Sequence, residues 1–221
     1  MAENTADTPS PKKKTKRWPI VTGVVVAVLV VAGAGMWVWH EQPSFCGAIC
    51  HTPMETYLPT YEAEPGQPAT DKWGNEVSDA SSMLAASHRS LNGDTCLSCH
   101  VPTLDEQIAE GMNWVTGNYY YPLDERTDED LTEARGLQGD DFCLNEACHA
   151  ETRADLKELT ADMGQYNPHN AQHGELACTT CHKAHRASVM YCAQCHDDAE
   201  VPEGWVAGDE GDALEDAAMA A

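Results

Sequence analysis

The sequence predicts a mainly α protein with much irregular loop, in which a single N-terminal transmembrane helix leads into a domain without an ordinary apolar core. Three observations predict it. An uncharged apolar run fills residues 19–39. The chain carries 36 Asp+Glu against 13 Lys+Arg and only two Phe, too little for a conventional core of this size. All ten cysteines fall into five motifs, each with a His directly after the second thiol.

The apolar run comes first. It begins at Pro19-Ile20-Val21 and ends at Trp39. About 21 residues rising 1.5 Å each span roughly 31 Å, one bilayer core. Lys12, Lys13, Lys14, Lys16 and Arg17 precede it and favour a cytoplasmic N-terminus. Trp18 stands at one end and Trp37 and Trp39 at the other, where indoles prefer the interface. A cleaved signal peptide is the alternative, since Ala32-Gly33-Ala34 supplies small residues. The run is longer than a usual signal core, which favours a retained anchor in the cytoplasmic membrane. Either way the rest of the chain is exported.

The five motifs are Cys46-x3-Cys50-His51, Cys96-x2-Cys99-His100, Cys143-x4-Cys148-His149, Cys178-x2-Cys181-His182 and Cys192-x2-Cys195-His196. Cys-x-x-Cys-His is the pattern of covalent c-type haem attachment: two thiols reach the haem vinyls and the His reaches iron. Zinc sites also use Cys-x2-Cys, but they close with four Cys/His ligands and need no His after every second Cys. Five disulfides would suit an exported domain but leave the five histidines unexplained. Five haem c groups account for every cysteine. They also supply the missing buried surface, so the domain reads as a haem-packed multihaem cytochrome c domain.

Histidine arithmetic agrees. Beyond the five proximal histidines the chain has His40, His88, His169, His173 and His185. The last four lie among the last four motifs and match four haems that need a second axial ligand. Neutral imidazole is a good iron ligand. The spacing does not say which distal His serves which haem.

The order along the chain is a basic cytoplasmic tail over 1–17, the anchor over 18–39, the haem domain over 40–205 and an acidic disordered tail over 206–221. That tail is rich in Gly, Ala, Asp and Glu. Thr103-Leu104-Asp105-Glu106 reads as a capping box before a helix near Asp105–Asn113. Leu156, Leu159 and Met163 recur at helical spacing, with Gly164 as a stop. Glu62–Asn75 reads as loop, and no strand pattern of consequence is present. Two of the acids and five of the bases precede the anchor, so the exported part is strongly acidic. Such a surface disfavours nucleic-acid binding, which needs basic patches.

Two resemblances follow from these strings. The first half resembles the membrane-anchored quinol dehydrogenase cytochromes of the NapC/NirT/NrfH type. It shares an N-terminal anchor, Cys46…Cys50-His51-Thr52-Pro53-Met54, Ser87-His88 and Cys96-Leu97-Ser98-Cys99-His100-Val101-Pro102. The second half resembles the tetrahaem domain of flavocytochrome c fumarate reductases. There the matching strings are Asn167-Pro168-His169, Cys178-Thr179-Thr180-Cys181-His182-Lys183-Ala184-His185 and Met190-Tyr191-Cys192-Ala193-Gln194-Cys195-His196. A Cys-x4-Cys spacing is familiar from the cytochrome c3 class. Flavocytochromes carry their own flavin domain; a chain without one resembles the cytochrome component of a cardiac glycoside reductase system, which implies an exported flavoprotein or other terminal reductase as partner.

The resemblance implies menaquinol as electron donor at the membrane and Met54 as a ligand of the first haem, with His51 and His40 as the other candidates. Met54 stands one residue further from its His than the family pattern has it. The family's quinol-facing Lys has no counterpart, because no Lys occurs between Lys72 and Lys157. Glu55 and Glu110 are candidate proton acceptors. A tethered carrier fed by another protein, and a reductase with an open haem, are the competing functions. Five distal histidines for five haems argue against an open haem.

Overall fold

A computed structural model describes residues 17–49, 51–119, 136–137, 139–170 and 172–220. The chain divides into two units, Met1–His40 and Glu41–Ala221.

The described part of the first unit holds one helix, Trp18–His40, of 23 residues. It has no polar face: Ile20, Val31 and Trp37 are 69%, 72% and 71% exposed. A helix apolar all round belongs in an apolar environment. By length and composition it can cross a membrane.

The second unit is built of short helices joined by long irregular stretches. Pro43–Ile49, His51–Met54 and Tyr57–Glu62 come first. Ala69–Thr70 then pairs antiparallel with Glu76–Val77, Ala69 facing Val77. The turn between them is organised by buried Asp71, whose carboxylate accepts from the backbone N–H groups of Trp73 (2.8 Å) and Asn75 (2.9 Å). Two-residue strands are too short to leave an alternating pattern, so this stretch reads as loop in the sequence.

The apolar centre is small. Val77, Ala80, Met83, Ala86 and Ala187 are buried together, with Ala63, Ala69 and Val206 packed on them. Small side chains let backbones approach. The Leu84 and Ala85 N–H groups donate to Lys183 and Ala184 carbonyls at 2.9 and 3.0 Å, and Lys72 N–H donates to the His185 carbonyl at 2.9 Å. The Ser188 hydroxyl donates to the Ser82 carbonyl 106 residues away. Helix Leu84–Asn92 stops at Gly93, whose φ of 73° favours glycine. Its Arg89 donates to the Tyr61 and Ala63 carbonyls at 2.7 and 3.0 Å, satisfying the open end of Tyr57–Glu62.

The Thr103 capping box forms: the Glu106 carboxylate accepts from Thr103 N–H at 2.6 Å. The helix runs Leu104–Thr116, past the expected Asn113, because its stop is Gly117 at φ 68°. Arg153–Leu159 is helical, and Ala161–Tyr166 continues as a 3-10 turn broken at Gly164, φ 59°.

The stretch 206–221, expected to be disordered, is ordered over its described residues. Val206–Ala207 pairs in parallel with Val189–Met190, and Gly208–Met219 is a helix. The glycines that read as disorder are contact points. A Cβ on Gly208 would lie 2.8 Å from Gln194 Cβ, and one on Gly211 2.9 Å from Val189 Cγ2. The acids have partners: Glu215 pairs with Arg186 at 2.7 Å and Asp212 accepts from Gln194 at 2.9 Å. Arg186 is itself buried and stacks on the Trp73 ring at 4.9 Å.

Candidate functional site

Each described motif is a tight turn closed by one hydrogen bond. His100 N–H donates to the Cys96 carbonyl at 2.8 Å, His182 to Cys178 at 2.9 Å and His196 to Cys192 at 3.0 Å. The Cys-x4-Cys motif reaches the same closure with a longer loop, His149 N–H donating to the Cys143 carbonyl at 3.2 Å. Asn145 absorbs the extra residues. Its side-chain oxygen accepts from Ala147 and Cys148 N–H (3.0 and 3.2 Å), and its amide donates to the Asp141 and Phe142 carbonyls (both 3.0 Å). The bulge turns outward: Glu146 and Ala147 are exposed.

Four proximal histidines each face one of the four unassigned ones. Ring centroids are 6.0 Å apart for His88 and His149, 6.2 Å for His100 and His185, 6.4 Å for His169 and His182, and 6.3 Å for His173 and His196. This spacing can be tested against one metal atom between two imidazoles. A metal–nitrogen bond of about 2.0–2.1 Å plus about 1.1 Å to the ring centre, taken on both sides, gives about 6.3 Å. The residues fit. Among the described residues no three His, Cys, Asp or Glu side chains converge as a metal cluster, so the arrangement is a set of pairs. Two axial ligands per metal is what haem iron takes from a protein and what a four-ligand zinc site does not. No disulfide joins any of the nine described cysteines.

Three of the rings are held neutral by their surroundings, and three are aimed by hydrogen bonds. Burial, then His100 and Lys72, push the His185 imidazolium down to about 3. Burial, then the neighbouring His169, His149 and His88, lowers His182; burial, then Arg153, lowers His169. His88 Nδ1 lies 2.8 Å from the Leu84 carbonyl, which can only accept, so Nδ1 carries the proton and Nε2 the lone pair. His185 Nδ1 lies 2.7 Å from Thr60 Oγ1, and His169 Nδ1 3.1 Å from Thr160 Oγ1. Aromatic rings wall three sites: Tyr57 stands edge-on to His185 at 5.2 Å, Trp205 edge-on to His182 at 5.3 Å, and Tyr166 tilts over His196 at 5.2 Å.

The thiols connect motifs. The Cys46 thiol hydrogen-bonds Cys96, which pushes Cys46 up and Cys96 down to about 7. The Cys143 thiol does the same for Cys178, lowering it to about 7. Motifs one and two therefore adjoin, as do three and four. Arg153 ties the second pair together, bonding the Asp140 carboxylate and, at 2.8 Å, the Leu176 carbonyl.

The first motif is described in part: Cys50 and the His51 side chain lie outside the described residues. Met54 ends the His51–Met54 turn, half-buried. His40 ends the apolar helix, its ring 6.4 Å from that of Trp37. Glu55 and Glu110 are exposed, and the Glu110 charge reaches Cys46, helping to raise its thiol.

Sequence reasoning missed the pairing itself and the groups behind the rings: Thr60, Thr160, Tyr57, Tyr166, Trp205 and the Leu84 carbonyl. Thr60 and His185 are 125 residues apart, and no local pattern marks a partner at that distance.

The cytochrome c3 family profile matches residues 125–197. The chain is 62% identical over 218 residues to cytochrome c-type protein Cgr1 of Eggerthella lenta, an alignment covering 99% of this chain and 100% of that protein. It is also 34% identical over 83 residues to the probable fumarate reductase Ifc3 of Shewanella frigidimarina, covering 34% of this chain and 13% of that protein. No solved structure matches the chain.

Proposed function

The chain belongs to the family of cytochrome c-type proteins that includes Cgr1, and from that premise we propose that it is a membrane-anchored pentahaem conduit between menaquinol and an exported flavin-dependent reductase. Haem c, held covalently, supplies a reversible one-electron iron couple. In this reading the chain's five thiol pairs fix position, and four imidazole pairs set axial field and potential: His88 with His149, His100 with His185, His169 with His182, and His173 with His196. The facing rings at 6.0–6.4 Å carry the proposal, since paired imidazoles suit electron transfer and leave no open coordination position for catalysis. His51 with Met54, in preference to His40, serves the first site.

The quinol end of the reading draws on the likeness of the first half to quinol dehydrogenase cytochromes and on the apolar helix Trp18–His40, taken as a retained anchor. Helix Leu104–Thr116 adds support. It brings Glu110 within electrostatic reach of Cys46 and exposes Leu104, Ile108, Met112 and Val115 on its surface. A quinol bound there loses two electrons one at a time and gives its protons to Glu110 or Glu55 on the outer side of the membrane. The acceptor end draws on the likeness to the probable fumarate reductase Ifc3, whose match covers 34% of this chain and 13% of that protein.

The test is reduction of the full-length protein in liposomes by a menaquinol analogue, followed in the haem α-band. Rapid quinol-driven reduction is expected, slowed by Met54→Leu while reduction by dithionite is unchanged. Reduction by dithionite alone would assign the chain to a carrier fed by another protein. Loss of quinol activity in His40→Ala with none in Met54→Leu would move the first ligand to His40.

A further inference from the structure

Thr60 is fully buried, yet its side chain is polar and placed on a proposed iron ligand. Its hydroxyl has one proton, and the Tyr57 carbonyl, which can only accept, lies 2.7 Å away and takes it. The contact at 2.7 Å to His185 Nδ1 must then run the other way, from Nδ1–H to the hydroxyl oxygen. That leaves the His185 lone pair on Nε2. The Nδ1–H···Oγ1–H···O=C chain is complete inside the protein, at a fully buried hydroxyl.

The arrangement occurs twice. Thr160 sits 100 positions later in an unrelated stretch. Its hydroxyl lies 2.8 Å from the Leu156 carbonyl and 2.8 Å from Asn167 Oδ1, both acceptors, and 3.1 Å from His169 Nδ1. In both cases the Thr proton is taken by a carbonyl oxygen, of Tyr57 for Thr60 and of Leu156 or the Asn167 side chain for Thr160, which leaves a hydroxyl lone pair for the His. The His88 ring has a backbone carbonyl in the same role.

We propose that Thr60 and Thr160 are positioning residues that fix the tautomer and plane of His185 and His169 and set the potentials of the haems those imidazoles serve. This rests on the ligand assignment above. A hydrogen bond from Nδ1–H raises the basicity of the ring and stabilises the oxidised metal.

The experiment compares Thr60→Val, which keeps shape and removes the hydroxyl, with Thr60→Ser, which keeps the hydroxyl, in purified full-length holoprotein. Haem count by denaturing mass spectrometry, low-spin EPR g-values and a potentiometric titration are read on each. The Val variant should keep its haem count and low-spin state while one component titrates at higher potential, by up to about tenfold in its one-electron equilibrium, or about 59 mV at n = 1. Its largest g-value should shift, and the Ser variant should restore both. A Val variant that titrates and resonates as wild type, or a Ser variant that matches Val, overturns the proposal. Thr160→Val applies the same test at His169 should Thr60→Val lose haem. His185→Ala separates the two levels: an unchanged low-spin count there overturns the ligand assignment itself.

Discussion

The protein around Met83 and the protein around Cys178 are held together by different means. Near Met83, side chains bury one another: Ala80, Met83 and Ala86 are inaccessible, and Val77, Ala187, Ala63, Ala69 and Val206 pack around them. From residue 140 to 182 the described chain buries only Asn167, although this stretch holds His149, His169, His173 and His182. There the backbone is kept in shape by a capping box at Thr152, the Asn145 bulge and the Arg153 clamp. The first region folds on side-chain packing. The second, in the proposed reading, is a frame to be filled by covalent haem, which accounts for its partially exposed thiols and imidazoles where a soluble domain has leucines.

The strongest way to break this contrast is to remove a haem from the second region. Cys178→Ala combined with Cys181→Ala should lower the protein's mass by one haem. Amide exchange over 140–182 should then accelerate at least about tenfold, as local opening becomes cheap. Exchange around Val77–Ala86 should stay slow; equal acceleration in both regions would erase the distinction.

Met83→Ala attacks the other side. Truncating a fully buried Met should cost about 2–5 kcal/mol, read as a lower Tm, with the haem mass unchanged. A smaller loss is expected from Gly211→Val. The added atoms meet Val189, 2.9 Å from even a Cβ, and overpacking of this kind costs about 1–3 kcal/mol. Limited proteolysis should then release the Gly208–Met219 helix first.

The smallest effect concerns the Arg153 clamp. The Arg153 guanidinium beside Asp140 holds its carboxyl below the usual range, while burial opposes this. A lowered carboxylate stabilises the fold fully above its unfolded value, about 4, and that contribution is lost as pH falls through the lower folded value. Both side chains are partly exposed, so Arg153→Ala should cost only about 0–1 kcal/mol at neutral pH. The Tm difference from wild type should shrink below about pH 4.

What the sequence reveals follows from what is local. The four fully described motifs, the apolar helix and the Thr103 cap are written in contiguous residues, and each forms as a local element: a hydrogen-bonded turn, a helix and a capping box. The pairing of His100 with His185 is not contiguous. It depends on the Lys183–Ser188 stretch lying against Met83–Ala85, a backbone contact with no periodic signature. The C-terminal helix is hidden for a related reason: glycines at 208 and 211 and acids at 212 and 215 look like a solvated tail until Val189, Gln194 and Arg186 are placed beside them.

The claim on which everything else depends is that four proximal histidines share their irons with His88, His169, His173 and His185. Spin-quantified EPR of the oxidised full-length protein tests it most directly. The account predicts four low-spin ferric centres per chain with bis-imidazole g-values and no more than one centre of another kind. Two or more high-spin centres per chain would contradict it.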